Sequence, residues 1–257
     1  MSASLLQLDR VTIRFGGLTA VSELNLSVGG DELIGLIGPN GAGKTTVFNL
    51  ITGVYQPTEG AITFNGGPTT RLKPYQLVRL GIARTFQNIR LFGSMTVFDN
   101  VRAATQVHRH HGVRDALWRG RSFHDGEKTV AAEVLELLEI FKLTKLQDEM
   151  ATSLPYGDQR RLEIVRALAT RPKLLLLDEP AAGMNPTEKV ELMKLIQFIK
   201  DKYQIAVLLV EHDMQVVMGI CQRIAVLDYG IKIAEGTPAE IRGNAKVIEA
   251  YLGEEQK

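Results

Sequence analysis

The sequence has few of the features that mark disulfide-bonded, membrane-spanning or secreted proteins. Cys221 is the only cysteine among 257 residues, so no intrachain disulfide can form and a reducing compartment is expected. The longest apolar runs, such as residues 205–210, are far shorter than the roughly 20 residues that span a bilayer. Residues 1–15 lack the basic and apolar segments of a signal peptide, and we therefore expect none.

Net charge is also small. The chain carries 30 Lys and Arg against 29 Asp and Glu, which gives no electrostatic reason to expect nucleic acid as a main partner. Hydrophobic residues make up 45% of the chain, which is enough for the core of one large domain. The composition therefore favours an ordinary globular protein without a nucleic-acid-binding surface.

Two kinds of strand are predicted. Stretches bounded by turn residues are typical of antiparallel strands, and they lie at residues 5–15, 24–28 and 61–64. Almost continuously apolar runs favour the centre of a parallel sheet covered on both faces, and they lie at residues 33–37, 174–177 and 205–210. Helix starts are predicted at Asn185 and Thr237, and residues 88–170 are predicted to be mostly an inserted helical segment.

Each apolar run is followed by polar residues, and the first set fits GxxxxGK[ST] between a strand and a helix. In such a loop the backbone amides surround a phosphate, Lys44 reaches the β- and γ-phosphate oxygens, and Thr45 can ligate magnesium. We therefore predict ATP or GTP binding, with Mg²⁺, by Gly38, Pro39, Asn40, Gly41, Ala42, Gly43, Lys44, Thr45 and Thr46.

Two carboxylates and a histidine follow the other two apolar runs. Successive side chains of a strand point to opposite faces, so Asp178 and Glu179 are expected to have different roles. Asp178 is predicted to hold Mg²⁺ through water, and Glu179 is predicted to take a proton from an attacking water molecule. A lone histidine is more often structural, but the position of His212 favours a hydrogen bond to the γ-phosphate.

Three further features stay open on the residues alone. Gln87 is an amide that suits a magnesium site or an ordinary polar loop. The stretch 153–169 resembles a helix whose first turn grips a phosphate, yet Pro155 brings no hydroxyl and Asp158 brings a negative charge. A metal site is disfavoured for four histidines whose spacing fits no defined geometry, namely His108, His110, His111 and His124.

Taken in order, GPNGAGKTT, TFQNIRLF, LPYGDQRR, LLLLDEP and VEHD resemble the motifs of ABC transporter ATPase subunits, over residues 5–253. FGGLTAV, FNLITGVYQPTEG and VIEAYLGEE are similar to one subfamily, the G-type ATPase subunit of bacterial branched-chain amino acid importers. The resemblance implies an α/β P-loop NTPase of ABC type, as a single domain over residues 1–257. Its mainly parallel core and antiparallel β subdomain would comprise residues 1–87 and 170–257, with a helical subdomain at residues 88–169.

The resemblance also implies roles for residues that the sequence alone leaves open. Phe15 would stack on adenine, and Gln87 would contact magnesium and the attacking water. Two such ATPases bind head to tail, so the signature turn would face the partner's ATP. That turn is Leu154, Pro155, Tyr156, Gly157 and Asp158, in place of the family's usual LSGGQ, and it lacks the serine hydroxyl. Asp158 is then expected to satisfy amides at the helix start, and Asn185 stands where the family often has Asp.

The function implied by the resemblance is ATP hydrolysis that powers branched-chain amino acid uptake. The partners would be a second ATPase, identical or related, two membrane permease subunits and, indirectly, a substrate-binding protein, at the cytoplasmic face of the bacterial inner membrane. Import of urea or amides and extraction of lipopolysaccharide are the alternative cargoes. A non-transport ABC ATPase acting on DNA or ribosomes is disfavoured because the chain has no sustained heptads. A P-loop kinase would leave the signature helix and His212 unexplained.

Overall fold

The computed structural model describes residues 4–108 and 121–252, and the chain divides into two compact units. The first unit comprises Met1–Arg84 and Lys173–Lys257, and the second comprises Thr85–Pro172. In chain order the strands and helices are β1 (Leu6–Phe15), β2 (Leu18–Val28), β3 (Leu33–Ile37), α1 (Lys44–Ile51), β4 (Glu59–Phe64), β5 (Gly67–Pro68), α2 (Pro74–Leu80), β6 (Ile82–Arg84), α3 (Val97–Thr105), α4 (Arg121–Ile140), α5 (Tyr156–Leu168), β7 (Leu174–Asp178), α6 (Pro186–Tyr203), β8 (Ala206–Val210), α7 (Met214–Ile220), β9 (Arg223–Asp228), β10 (Ile231–Gly236), α8 (Pro238–Arg242) and α9 (Ala245–Leu252).

A six-stranded sheet forms the centre of the first unit, in the order β10-β9-β3-β8-β7-β6. All neighbouring pairs are parallel except β9 with β10. The three apolar runs predicted as parallel strands are confirmed as β3, β7 and β8, and every residue of these strands is buried. Because β3, β8 and β7 are parallel neighbours, the segments that follow them lie at one edge of the sheet.

The second sheet of this unit is antiparallel, in the order β2-β1-β4-β5. The predicted antiparallel strands are found, but β2 begins at Leu18 rather than at residue 24, because Leu18 pairs with Phe15 across a hairpin turn. Buried residues of both sheets and of α1 form one apolar core, including Val11, Phe48 and Leu176. The antiparallel hairpin is thereby fixed against the part of the unit that carries the glycine-rich loop.

Four strands, β5, β6, β9 and β10, were not predicted. β6 has only three residues, which is too short for a hydrophobic period to show. β9 reads RIAVLD, a short apolar run that periodicity alone does not distinguish from a buried helix. Both strands are assigned by their partners in the sheet, β7 for β6 and β3 for β9.

Three α-helices form the described part of the second unit, α3, α4 and α5. Most of the described residues between 88 and 170 are helical, as predicted, although residues 88–96 form a loop and residues 106–108, 144–146 and 151–153 form short 3-10 turns. The buried side chain of Asn100 holds the loop, accepting from the Phe92 amide at 2.9 Å and donating to the Phe92 carbonyl at 3.0 Å. Thr96 caps α3 by accepting from the Asp99 amide at 3.1 Å.

Both predicted capping boxes are present. Asn185 accepts from the Glu188 amide at 3.0 Å and donates its own amide to the Glu188 carboxylate at 2.8 Å, at the start of α6. Thr237 and Glu240 make the same reciprocal arrangement at the start of α8. Across residues 4–108 and 121–252, no helix combines the length and the apolar character needed to cross a bilayer.

Candidate functional site

The glycine-rich loop between β3 and α1 approaches its neighbours too closely for a side chain. Gly38 has φ +148°, and a Cβ there would lie 2.0 Å from the Leu227 carbonyl oxygen on β9. The loop ends at Gly43, the N-cap of α1, whose first turn contains no acidic residue. The amides at this helix N-terminus therefore form the kind of site that binds phosphate.

Lys44 is buried inside this loop. Its Nζ donates to the carbonyl oxygens of Gly38 at 2.5 Å and Pro39 at 2.7 Å. Thr45 is exposed and Thr46 is partly exposed on the same turn. The loop thus gathers a cation, two hydroxyls and helix-end amides, which is the donor set that a magnesium-bound triphosphate requires.

The turn between β9 and β10 ties the loop to β2 through main-chain contacts. The Gly230 amide donates to the Ala42 carbonyl oxygen at 3.0 Å, and its carbonyl oxygen accepts from the Ser22 amide at 2.9 Å. Gly230 has φ +78°, and a Cβ there would lie 2.5 Å from the Ala20 carbonyl oxygen. Only glycine fits this position without displacing one of the two segments.

Asp178 is buried at the end of β7 and is paired with a cation that sequence reasoning missed. The Arg84 guanidinium on β6 donates through Nη2 to Asp178 Oδ2 at 2.8 Å and through Nη1 to Asn49 Oδ1 at 2.6 Å. Both side chains of the ion pair are less than a tenth exposed. Arg84 therefore connects the predicted magnesium ligand to α1, the helix that follows the phosphate-binding loop.

Glu179 and His212, predicted separately, lie in direct contact. Glu179 Oε1 is 2.6 Å from His212 Nε2. Glu179 has φ +48°, and its amide donates to the Val210 carbonyl oxygen at the end of β8 at 2.8 Å. The Asp178 side chain thus contacts β6, while the Glu179 side chain contacts the segment that follows β8.

Glu211 is a buried carboxylate at the same edge that sequence reasoning did not assign. Its Oε1 accepts from the Ala181 amide at 2.6 Å, and its Oε2 accepts from the His212 amide at 3.1 Å. Burial raises the pKa of Glu211, the backbone hydrogen bonds lower it, and the neighbouring Glu179 carboxylate raises it further. The sequence could have indicated Glu211, because it directly follows an apolar run in the same way as Asp178.

Asp213 completes this segment. It caps α7 by accepting from the Gln215 amide at 2.8 Å, and it pairs with Lys189 of α6 at 2.6 Å. The hydrogen bond from Lys189 lowers the pKa of Asp213. Glu211 and Asp213 therefore hold the main chain on both sides of His212.

Phe15 lies at the tip of the β1–β2 hairpin, and its side chain is exposed. Its ring packs edge-on against Tyr55, with 5.1 Å between ring centroids and 71° between ring planes. Tyr55 was not predicted to take part. Because Tyr55 packs against the core, it supports the Phe15 ring while leaving part of it open for stacking.

Gln87 and the signature turn belong to the second unit. Gln87 is exposed, and its carbonyl oxygen accepts from Arg160 Nη2 of α5 at 2.6 Å. Pro155 is the N-cap of α5 and supplies no side-chain cap, while the Gln159 side chain donates to the Leu154 carbonyl oxygen at 2.8 Å. Gln87 and the signature helix are thus brought together, a contact that the sequence did not predict.

Asp158 differs from expectation in one respect. It lies in the first turn of α5, as predicted, where a negative charge suits the helix dipole. However, its carboxylate lies 3.5 Å from Arg161 of the following turn, and no amide among the described residues donates to it. Asp158 therefore contributes charge to the helix start rather than a cap.

The described residues contain no group of three or more His, Cys, Asp or Glu side chains that could hold a metal ion. The four histidines for which a metal site was disfavoured are not among the side chains that the structure describes. His110 and His111 lie outside the described residues, as do the side chains of His108 and His124.

A phosphate-binding loop on β3, with carboxylates after β7 and β8, defines a nucleotide-binding protein of the P-loop class. The family model of the ABC transporter matches residues 21–182, and the model of the branched-chain amino acid ATP-binding cassette transporter matches residues 232–257. The chain belongs to the ABC transporter family as an ATP-binding subunit, and the fold and enzyme class implied by the resemblance are confirmed.

Two relatives show the same similarity along the whole chain. The high-affinity branched-chain amino acid transport ATP-binding proteins BraF of Pseudomonas aeruginosa and LivG of Escherichia coli K12 are each 45% identical over 254 residues, which covers 99% of this chain and 100% of each relative. The ADP conformation of MJ1267, an ATP-binding cassette of an ABC transporter, has a TM-score of 0.84 at 30% identity, covering 98% of this chain and all of that one. A dimeric post-hydrolysis state of the cassette MJ0796 with ADP and Pi has a TM-score of 0.76 at 26% identity, covering 91% and 98%.

Glu211 generates a pH dependence of stability whose sign follows from its burial. The pKa of Glu211 is raised above the usual 4.5, so between 4.5 and the raised value the folded protein binds more protons than the unfolded chain. The stabilisation that protonated Glu211 contributes is fully present below pH 4.5, and it is lost as the pH rises through the raised pKa of this group. We expect the free energy of unfolding of wild type, minus that of Glu211→Gln, to fall as the pH rises from 4.5, as measured by urea titration. A difference that rises with pH would contradict this assignment.

Proposed function

We propose that this protein hydrolyses ATP to power branched-chain amino acid import through membrane permease subunits. The observation that carries the proposal is the 45% identity over nearly the whole chain to BraF and LivG, whose names state that transport. The match of residues 232–257 to the branched-chain amino acid cassette model supports the same cargo. In this proposal the two units act as one ABC ATPase domain.

ATP is bound through three groups of residues. The Phe15 ring, supported by Tyr55, stacks on adenine, and the loop from Gly38 to Thr46 surrounds the phosphates. Lys44 lies where its ammonium can exchange loop carbonyls for β- and γ-phosphate oxygens. Thr45, Gln87 and, through water, Asp178 would hold Mg²⁺, which neutralises phosphate charge when bound.

Glu179 is the proposed general base. It takes a proton from the attacking water, and His212, 2.6 Å away, fixes the position of its carboxylate and lies ready to hydrogen-bond the γ-phosphate. The ion pair with Arg84 on the opposite side of β7 supports a separate role for Asp178. Glu211 and Asp213 fix the backbone that carries His212.

The signature turn is proposed to act in trans. The amides of Tyr156 and Gly157 open α5, and with the dipole of this helix they suit a phosphate held by a second ATPase. The MJ0796 cassette is dimeric with ADP and Pi, which supports a second ATPase as the partner. The second ATPase is either another copy or a related chain, and Asn185 lies in the segment proposed to communicate across the dimer. The assembly would sit at the cytoplasmic face of the inner membrane and meet a substrate-binding protein only indirectly.

Replacing the proposed base separates binding from hydrolysis. We expect Glu179→Gln to bind ATP within about twofold of wild type and to lose at least about a hundredfold in turnover, because general-base catalysis contributes on that order. ATP should also accumulate a dimer, measured by size-exclusion chromatography with light scattering. Glu249→Gln, on the exposed face of α9, is the control and should match wild type. Turnover of Glu179→Gln within threefold of wild type would refute the assignment.

The missing signature hydroxyl can be restored. Pro155→Ser should tighten the ATP-dependent dimer of Glu179→Gln protein by about tenfold, on the order of one hydrogen bond to a charged group. Pro155→Ala restores the amide without the hydroxyl and serves as the matched control. Equal dimer affinity for the Ser and Ala variants would show that the turn does not face a phosphate.

The partners and cargo are tested by purification from membranes. Tagged Glu179→Gln protein, extracted in gentle detergent with ATP, should recover two polytopic membrane proteins and a second ATPase subunit, identified by mass spectrometry. Cells that lack the chain should then lose high-affinity leucine, isoleucine and valine uptake. Recovery of nucleic-acid-binding proteins alone, or unchanged uptake of all three amino acids, would overturn the transport proposal.

A further inference from the structure

Two oppositely charged side chains are buried together in the second unit, away from the residues already assigned to ATP. Arg160 is 1% exposed and Glu163 is 2% exposed, and Arg160 Nη1 lies 3.1 Å from Glu163 Oε2. They lie three residues apart on α5, within two turns of Pro155. We call this pair the clamp.

The clamp contacts the main chain around Gln87 from both sides. Arg160 donates to the Phe86 carbonyl oxygen at 2.6 Å and to the Gln87 carbonyl oxygen at 2.6 Å. Glu163 Oε1 accepts from the amides of Phe86 at 3.2 Å and Arg90 at 3.3 Å. Four main-chain groups between residues 86 and 90 are therefore held by one helix, and no side-chain change at Gln87 itself would release them.

Stability alone does not account for such a pair. Removing two charges from water is costly, and apolar residues of similar volume often stabilise a core equally well. Arg160 Nε is buried and has no acceptor among the described residues, which adds to the cost. What the pair does supply is a fixed position for one loop on one helix, because a guanidinium fork and a carboxylate bind main-chain groups in defined directions.

We propose that Arg160 and Glu163 are positioning residues that make the Gln87 segment and the signature turn of α5 move as one body. This proposal deepens the proposed function and depends on it. Gln87 serves the chain's own ATP in that function, whereas Tyr156 and Gly157 serve the ATP of the partner. We expect the clamp to keep the Gln87 segment and this turn at a fixed spacing within the second unit.

The test replaces the clamp by apolar side chains of similar length. We expect Arg160→Met/Glu163→Met to bind ATP within twofold of wild type, because the phosphate-binding loop lies in the first unit. The kcat should fall at least tenfold, with KM changed less than threefold, and the ATP-dependent dimer of the same variant in the Glu179→Gln background should weaken at least tenfold. A folded variant whose kcat and dimer affinity stay within twofold of wild type would overturn the proposal.

The same unit offers a matched control. Arg171 and Glu133 form a two-bonded ion pair at 2.8 Å for each bond, and they make no described contact with residues 86–90. Arg171→Met/Glu133→Met should keep wild-type kcat and dimer affinity. A loss in the control as large as in the clamp variant would show a general structural effect and overturn the positioning role.

A more conservative variant tests the clamp if the double variant does not fold. Hydrogen exchange tests it even if the protein does not hydrolyse ATP. Arg160→Lys keeps the charge but replaces the planar guanidinium, which bonds two carbonyl oxygens and Glu163, by a flexible ammonium. We expect kcat to fall about threefold, and wild-type kcat would count against the clamp. In nucleotide-free protein, Glu163→Met should raise hydrogen exchange at the Phe86 and Arg90 amides at least tenfold. Unchanged exchange overturns the clamp whether or not the protein hydrolyses ATP. A wild-type protein that hydrolyses no ATP sinks the proposed function instead.

Discussion

Parallel pairing of β3, β8 and β7 is the constraint on which the candidate site depends. Parallel strands deliver their carboxyl ends to one edge of a sheet, and these three carry the phosphate-binding loop, the Asp178–Glu179 pair and the Glu211–Asp213 segment. The strands themselves are fully buried and contain no polar side chain before Asp178. Burial of apolar side chains therefore fixes the sheet, and the sheet fixes the chemistry at its edge.

Neighbouring carboxylates at this edge repel one another, and each of the three below has a different compensating partner in the first unit. Asp178 has the Arg84 guanidinium, Glu179 has the His212 ring, and Glu211 has main-chain amides. The three kinds of partner differ chemically, because a guanidinium or an amide only donates hydrogen bonds whereas an imidazole nitrogen can donate or accept one. Three carboxylates within a few residues of two strand ends are thereby kept chemically distinct.

The sequence was most informative where local patterns are strong. Apolar runs predicted β3, β7 and β8, and capping residues predicted the starts of α6 and α8, because these signals are local. The extent of β2, the existence of β6 and β9, and the loop at 88–96 depend on pairing partners or on the buried Asn100, which a single-sequence pattern does not contain.

At the candidate site the sequence predicted which residues gather, but less well what holds them. Motif spacing indicated Lys44, Asp178, Glu179 and His212, whereas Arg84, Tyr55 and Arg160 act across long stretches of chain. Arg84 and Asp178 are 94 positions apart, and Arg160 and Phe86 are 74 apart, so no local spacing could pair them. Glu211 is the exception, because its place after an apolar strand was a usable signal.

The turn at Gly230 has a consequence for how the protein can vary. Main-chain hydrogen bonds at this turn join the phosphate-binding loop to β2, and β2 leads back to the hairpin that carries Phe15. Main-chain hydrogen bonds therefore add to the apolar core in fixing the distance between the glycine-rich loop and the hairpin that carries Phe15. The neighbouring Tyr229 is 77% exposed but has φ +43°, so two successive residues of this turn adopt the left-handed backbone conformation. Substitutions in this turn are therefore limited by backbone conformation even where the side chain is exposed to solvent.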